Sequence, residues 1–304
     1  MPIKTVKAEN FTWYFINEFN GQDLIFLKNN FKFHPLDLRD CSGEIQRSKL
    51  DVYKNYFFLV FQLPLWDKGR KKIPITQAYF FIGKDYLVTI TREKIKFLNT
   101  IFYKVINNHH LREEAFAKDS GYLLYLILDD WLRNVWNIHN DLEQEIAKIE
   151  NDIEEGKSKK TVYDLASLRR LVLKFKTVID SQKLVTNRLS RIDVSFLKKE
   201  IHVYFDDLDD FVEKNWFLLE SYKDRILSMQ EINESLISFR TNQIMKVLTS
   251  FSVAILPLTL LSGIYGMNVD LPFVNHPNFI WLLFGLFSAI IIGIFIYLKN
   301  KDWI

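Results

Sequence analysis

The chain has 304 residues, with 40 basic and 37 acidic side chains and a formal net charge of +3. So even a balance argues against a protein that binds nucleic acid through bulk charge, and a single cysteine, Cys41, excludes both an internal disulfide and a cysteine-based zinc cluster. The charge is unevenly spread, because Asp270 is the only charged side chain in residues 247–298; the composition is that of a soluble protein followed by a membrane anchor.

No secretory signal is visible at the start, since residues 1–14 hold no apolar run of the needed length. The N-terminal part is therefore expected to stay in the cytosol. Residues 1–118 read as a mixed α/β domain. Residues 56–63 (YFFLVFQL) form a continuous aromatic and β-branched run suited to a buried strand. Residues 78–82 and 86–91 flank Gly83-Lys84-Asp85, a hairpin turn. Over residues 94–110 the apolar spacing turns helical, through Ile95, Leu98, Ile101, Phe102 and Val105.

Residues 119–240 read as long helices that form a stalk. Residues 122–155 end in a stretch with seven acidic residues between positions 141 and 155. After a turn at Gly156-Lys157-Ser158, residues 162–189 make a basic return helix carrying Arg169, Arg170, Lys174, Lys176, Lys183 and Arg188. The two are expected to lie against each other with complementary faces, unless both charged faces are simply solvated.

The third helix is predicted to begin near Asp206. A spacing close to 3.5 residues runs through Leu208, Val212, Asn215, Leu219, Tyr222, Ile226, Met229, Asn233 and Leu236, a coiled-coil-like seam with two polar interruptions. No proline or glycine occurs in residues 201–256, so the helix is expected to run unbroken into the membrane. Residues 206–265 would span roughly 90 Å at 1.5 Å each, a rod able to carry a cytosolic binding event to a gate. Asp206, Asp207, Asp209 and Asp210 crowd at its start, where the helix dipole alone would favour acidic side chains.

Residues 241–264 are expected to form the first membrane helix. Asn242, Met245, Thr249, Ser252, Leu256, Thr259, Gly263 and Gly266 follow one another at three- or four-residue steps. Six of these eight are small or polar, while Val247, Phe251, Val253, Ile255 and Leu260 lie between them. One small-polar face beside one greasy face suits either a pore-lining helix or close helix packing. In a pore, Met245, Leu248 and Leu256 would form apolar collars that gate by dewetting.

Residues 265–278 (YGMNVDLPFVNHPN) connect to a second span, residues 279–298, which is uncharged and long enough for the roughly 30 Å hydrocarbon core. Trp281 and Tyr297 sit where an aromatic belt would place them. Arg240 and Lys246 precede the first span, Lys299 and Lys301 follow the second, and the connector has neither lysine nor arginine. The positive-inside rule puts both termini in the cytosol and the connector outside. Residues 299–304 are then a short basic cytosolic tail.

GIYGMN at positions 263–268, between two C-terminal spans, strongly resembles the CorA family of magnesium channels. The likeness extends to TNQIMKVLT at 241–249, LPLT at 256–259, the tail Asp302-Trp303-Ile304, Tyr122-Leu-Leu-Tyr125 with Asp129, and His34-Pro35-Leu36. It covers nearly the whole chain.

The resemblance implies an α+β membrane protein: a cytosolic α/β domain, a funnel of long helices, and two C-terminal transmembrane helices. It implies a homopentamer in a cell or inner membrane that carries magnesium, with cobalt and nickel also passing. Gly266, Met267 and Asn268 would lie at the outer mouth, with five Asn268 carbonyls in a ring. Magnesium dehydrates reluctantly, and neutral carbonyls can accept from its water shell without stripping it. Asp207 and Asp210 best match the family's segment for regulatory cytosolic magnesium, which holds the channel closed; its N-terminal partner carboxylate is not marked by a motif.

Two departures stand out. Asp270 is the sole carboxylate of the outer connector, and the tail lysines are interrupted by Asn300. A zinc-transporting branch of the superfamily is the alternative, although no His-x-x-x-His spacing occurs among the six histidines. A membrane-anchored coiled-coil scaffold without a pore is a further one. An enzyme is not expected: no phosphate loop, nucleophile motif or paired active-site carboxylates are present.

Overall fold

The computed structural model describes residues 3–8, 11–67, 69–268 and 277–300. Asp270, most of the outer connector and the tail residues Lys301, Asp302, Trp303 and Ile304 lie outside the described residues. The chain divides into two units, Met1–Met229 and Gln230–Ile304.

The first unit is built on a six-stranded mixed sheet of order β1-β2-β6-β5-β4-β3. Its strands are β1 (Lys4–Lys7), β2 (Thr12–Ile16), β3 (Lys49–Val52), β4 (Tyr56–Pro64), β5 (Ile75–Gly83) and β6 (Tyr86–Thr91). The three strands expected from their apolar runs are β4, β5 and β6, the centre of the sheet. Every residue of β4 is buried, because helices cover both faces, as continuous rather than alternating apolar runs require. One face packs with Leu27 of α1 (Gly21–Asn30) and Leu38 of α2 (Pro35–Asp40). The other meets α3 (Lys96–Asn107), where Phe102 lies 5.0 Å from Trp13 and 4.7 Å from Phe15, ring to ring.

The edge strands β1 and β3 escape sequence reading. Each has four residues, only one of them buried, so neither produces an apolar run. The helix expected over residues 94–110 is two helices. Asn108 is extended, at φ −111° and ψ 109°, and its side chain accepts from Leu111 N to cap α4 (His109–Phe116). An asparagine that bonds nearby backbone favours a cap over a helix interior.

The long helices are α5 (Ser120–Glu154), α6 (Ser158–Ser190) and α7 (Ile201–Tyr265). Asp119 caps α5 through Tyr122 N and also accepts from Lys198 N at 2.8 Å, tying that start to the α6–α7 connection. The seam residues Leu208, Val212, Asn215, Leu219, Tyr222, Ile226 and Met229 are all buried within the single chain. Asn215 Oδ1 lies 2.7 Å from Nε2 of His139 on α5.

The ion pairs extend the complementarity expected of α5 and α6 to the third helix, because α7 takes charges from both. Arg225 of α7 pairs with Glu143 and Glu150 of α5. Lys176 and Lys183 of α6 reach Glu220 and Glu213 of α7 at 3.3 and 3.0 Å. These pairs are half-exposed and each contributes little stability, but together they give α7 a charge-matched place.

Within the second unit, the end of α7 and α8 (Pro277–Asn300) are long and apolar enough to cross a membrane.

Candidate transport site

The membrane part of α7 has a covered face. Ser250 and Leu261 are buried, and Ala254, Pro257, Leu258 and Tyr265 are half-buried. At about 100° per residue these positions cluster on one side of the helix. The centre of the small-polar stripe lies about 170° away by the same stepping. Asn242, Met245, Thr249, Ser252, Leu256, Thr259, Gly263 and Gly266 are all exposed in the single chain. The contrast is large: Leu256 is 66% exposed and Leu261 is 7%. Leu248 and Met245 are more than half exposed.

The hydroxyls on this helix are compatible with an apolar setting. Ser252 Oγ donates to Leu248 O at 3.0 Å and Thr259 Oγ1 to Ile255 O at 3.0 Å. Their donors are thus used locally, and their oxygens keep lone pairs for water.

The helix ends at Tyr265, and Gly266 turns the chain. Gly266 N bonds Ser262 O at 2.9 Å and Met267 N bonds Ile264 O at 3.2 Å. A Cβ at Gly266 would lie 3.0 Å from Ser262 O, tighter than nearly all side-chain contacts, so the backbone there would have to shift. Met267 and Asn268 follow, both exposed.

The aspartate cluster does not start its helix. Ile201 does, and the first turn of α7 carries no acidic residue, which removes the simple dipole explanation. Nor do the four carboxylates share one environment. Asp209 is half-buried and accepts from Thr186 Oγ1 at 2.6 Å and Asn187 Nδ2 at 3.2 Å, both on α6. Asp207 is exposed, and its Oδ2 accepts from Tyr125 Oη of α5 at 3.1 Å. Asp206 and Asp210 are exposed.

Burial, then the charges of Asp129 and Asp207, hold the Tyr125 phenol in its protonated, donating form well above its ordinary pKa. Arg133 grips both oxygens of Asp129 at 2.9 Å, and that bond keeps the guanidinium firmly charged. Tyr125 and Asp129 stand in the sequence stretch already noted. Thr186 and Asn187 carry no sequence signal, since polar residues on a basic helix read as surface. Among the described residues, no group of three histidine, cysteine or carboxylate side chains could hold a metal within one chain.

An α/β domain followed by three long helices and two apolar C-terminal spans, with an exposed small-polar stripe ending in Gly-Met-Asn, defines a membrane protein of the metal-ion transport class. Residues 8–300 match the family described as CorA-like Mg2+ transporter protein, and the chain belongs to that family. It is 27% identical over 300 residues to the cobalt/magnesium transport protein CorA of Thermotoga maritima, covering 96% of this chain and 83% of that protein. To the cobalt/magnesium transport protein CorA of Methanocaldococcus jannaschii it is 27% identical over 285 residues, covering 93% and 88%. The complete structure of the CorA magnesium transporter from Methanocaldococcus jannaschii superposes with a TM-score of 0.80 at 25% identity, covering 98% and 94% of the two chains.

Proposed function

We propose that this chain is the subunit of a homopentameric channel that admits magnesium, and also cobalt and nickel, across the cell membrane. Five stripes face a central axis, and the covered face of each α7 points away from it. The observation that carries this reading is the opposition on one helix between that covered face and an exposed row of small and polar residues leading to Asn268. The resemblance to cobalt/magnesium transport proteins supports the choice of ions.

In this reading both termini are cytosolic and residues 265–278 face outside. Gly266 supplies the turn that presents Met267 and Asn268 at the outer mouth. Five neutral amide carbonyls accept hydrogen bonds from the water shell of the ion, which magnesium gives up reluctantly. Thr249, Ser252 and Thr259 offer hydroxyl oxygens along the path, Asn242 lines its cytosolic end, and Gly263 keeps it wide. Met245, Leu248 and Leu256 close it by dewetting.

Cytosolic magnesium closes the channel at Asp207 and Asp210. Among the described residues no third ligand of one chain is placed to join these two on a metal, so water and a neighbouring subunit complete the coordination, in keeping with an ion that retains several waters. Magnesium offsets the repulsion that five such clusters would otherwise exert, and its loss loosens the ring. The same helix carries Asp207 and Leu248, so the two sites are coupled through α7.

The test is ion uptake into proteoliposomes together with the mass of the assembly in detergent. Magnesium uptake by a five-copy assembly is expected. A monomer, or uptake of zinc without magnesium, would overturn this reading.

A further inference from the structure

At one end of the sheet, four connections meet. The register pairs Tyr56 with Gly83, so the β3–β4 turn carrying Lys54 and the β5–β6 turn carrying Lys84 lie side by side. The α1–α2 connection brings Lys32 and His34 to the same place, and the α6–α7 connection brings Ser195. Together they line a cleft of about 810 Å³, within the size range of small-molecule sites.

The cleft is basic. Lys32, Lys54 and Lys84 line it and are exposed, against a single carboxylate, Asp85. No ion pair engages these three lysines among the described residues, unlike Lys49, which pairs with Asp40 and Asp51. Three ammonium groups around one concavity repel one another, and an anion with several charged oxygens would relieve that repulsion.

The cleft also has a fixed aromatic wall. The Tyr53 ring stacks on Tyr56 at 4.6 Å and lies nearly parallel to His34 at 5.8 Å. Both tyrosines are pinned by the buried Asp37, which accepts from Tyr53 Oη at 3.0 Å and Tyr56 Oη at 2.9 Å. Tyr56 Oη in turn accepts from His34 N at 2.8 Å. His34 Nδ1 accepts from Leu36 N, so in the neutral ring Nε2 carries the proton and is free to donate. A small anion would need the lysines alone, whereas rings held in place beside them suit a planar heterocycle.

We propose that this cleft binds a nucleoside di- or triphosphate, with the base against the His34–Tyr53 wall and the phosphates on Lys32, Lys54 and Lys84. The inference is independent of ion transport, because it rests on residues of the first unit alone.

The test is calorimetric titration of the full chain in detergent, in magnesium-free buffer, with ATP, ADP, adenosine and inorganic triphosphate as separate probes. Saturable binding is expected for ATP and ADP, with adenosine and triphosphate each weaker. The double variant Lys54→Gln with Lys84→Gln removes two exposed turn charges and should lower ATP affinity about tenfold or more, with an unchanged circular dichroism spectrum. Absence of saturable nucleotide binding would overturn the proposal, as would affinity that survives the double substitution. Triphosphate binding as tightly as ATP would overturn the assignment of the base to the aromatic wall.

Discussion

The phenol of Tyr125 on α5 donates to Oδ2 of Asp207 on α7 across 3.1 Å, although the two residues are 82 positions apart in sequence. The bond occupies one oxygen of a carboxylate proposed to bind regulatory magnesium. Tyr125→Phe frees that oxygen, and inhibition should then set in at magnesium concentrations about two- to fivefold lower, a modest change because the pair is exposed. Asp207→Asn with Asp210→Asn should act the other way and weaken inhibition by millimolar magnesium. Current recorded against internal magnesium checks both, and curves superimposable on wild type would remove the cluster from the mechanism.

Asn268→Ala should abolish magnesium flux while leaving the assembly intact. Asn268 is exposed after the α7 terminus, so the fold loses no packing when its amide is removed, but in the proposed pentamer a hydrated ion would lose its ring of acceptors. Uptake into proteoliposomes, with assembly mass as the control, decides it. Flux at the wild-type level would be fatal to the outer-mouth assignment.

Leu248→Asn should raise basal leak. Leu248 is 58% exposed in the single chain and lies beside the stripe, so a polar amide there would favour wetting of the constriction. Conductance in high cytosolic magnesium, where the proposed regulation would close the wild-type channel, is the measurement. A leak no greater than that of wild type would place Leu248 against lipid instead.

His139 makes the first unit sensitive to acid. Asn215 Nδ2 donates to Phe211 O at 2.7 Å, which leaves Asn215 Oδ1 as the acceptor for His139 Nε2–H at 2.7 Å. His139 Nδ1 is buried with no partner, so protonating it would place an unpaired charge in the core. Burial accordingly lowers the pKa to about 4 from 6.5. The unfolded chain binds the proton first, so stability is full above pH 6.5 and falls as pH drops toward 4, by about 3 kcal/mol at most. His139→Gln should flatten this part of the profile, leaving the carboxylate contribution. Denaturant midpoints at pH 7 and pH 5 measure the difference, and equal slopes for the two proteins would refute it.

Much of the candidate site was legible because it lies on one helix. The stripe from Asn242 to Gly266 is a matter of local spacing, and helical geometry turns spacing into a face without help from the rest of the chain. The aspartates show the limit. Their crowding is visible in sequence, but Thr186 and Asn187 hold Asp209 while Tyr125 holds Asp207, and those partners come from two other helices.

The continuous run of β4, the two apolar spans and the long helical periodicities are fixed by the order of side chains alone, since each declares how many of its faces must avoid water. Which surface covers each face is settled only by tertiary contacts. The edge strands β1 and β3 exist through pairing with neighbours rather than through their own apolarity. The parallel match of β2 with β6 joins residues more than seventy positions apart. The basic helix α6 finds acidic partners on α7 as well as lying against α5, a choice made by packing geometry that charge pattern leaves open. The cleft with Lys32, Lys54 and Lys84 belongs to the same category: three lysines scattered over fifty residues converge because antiparallel register sets two turns side by side.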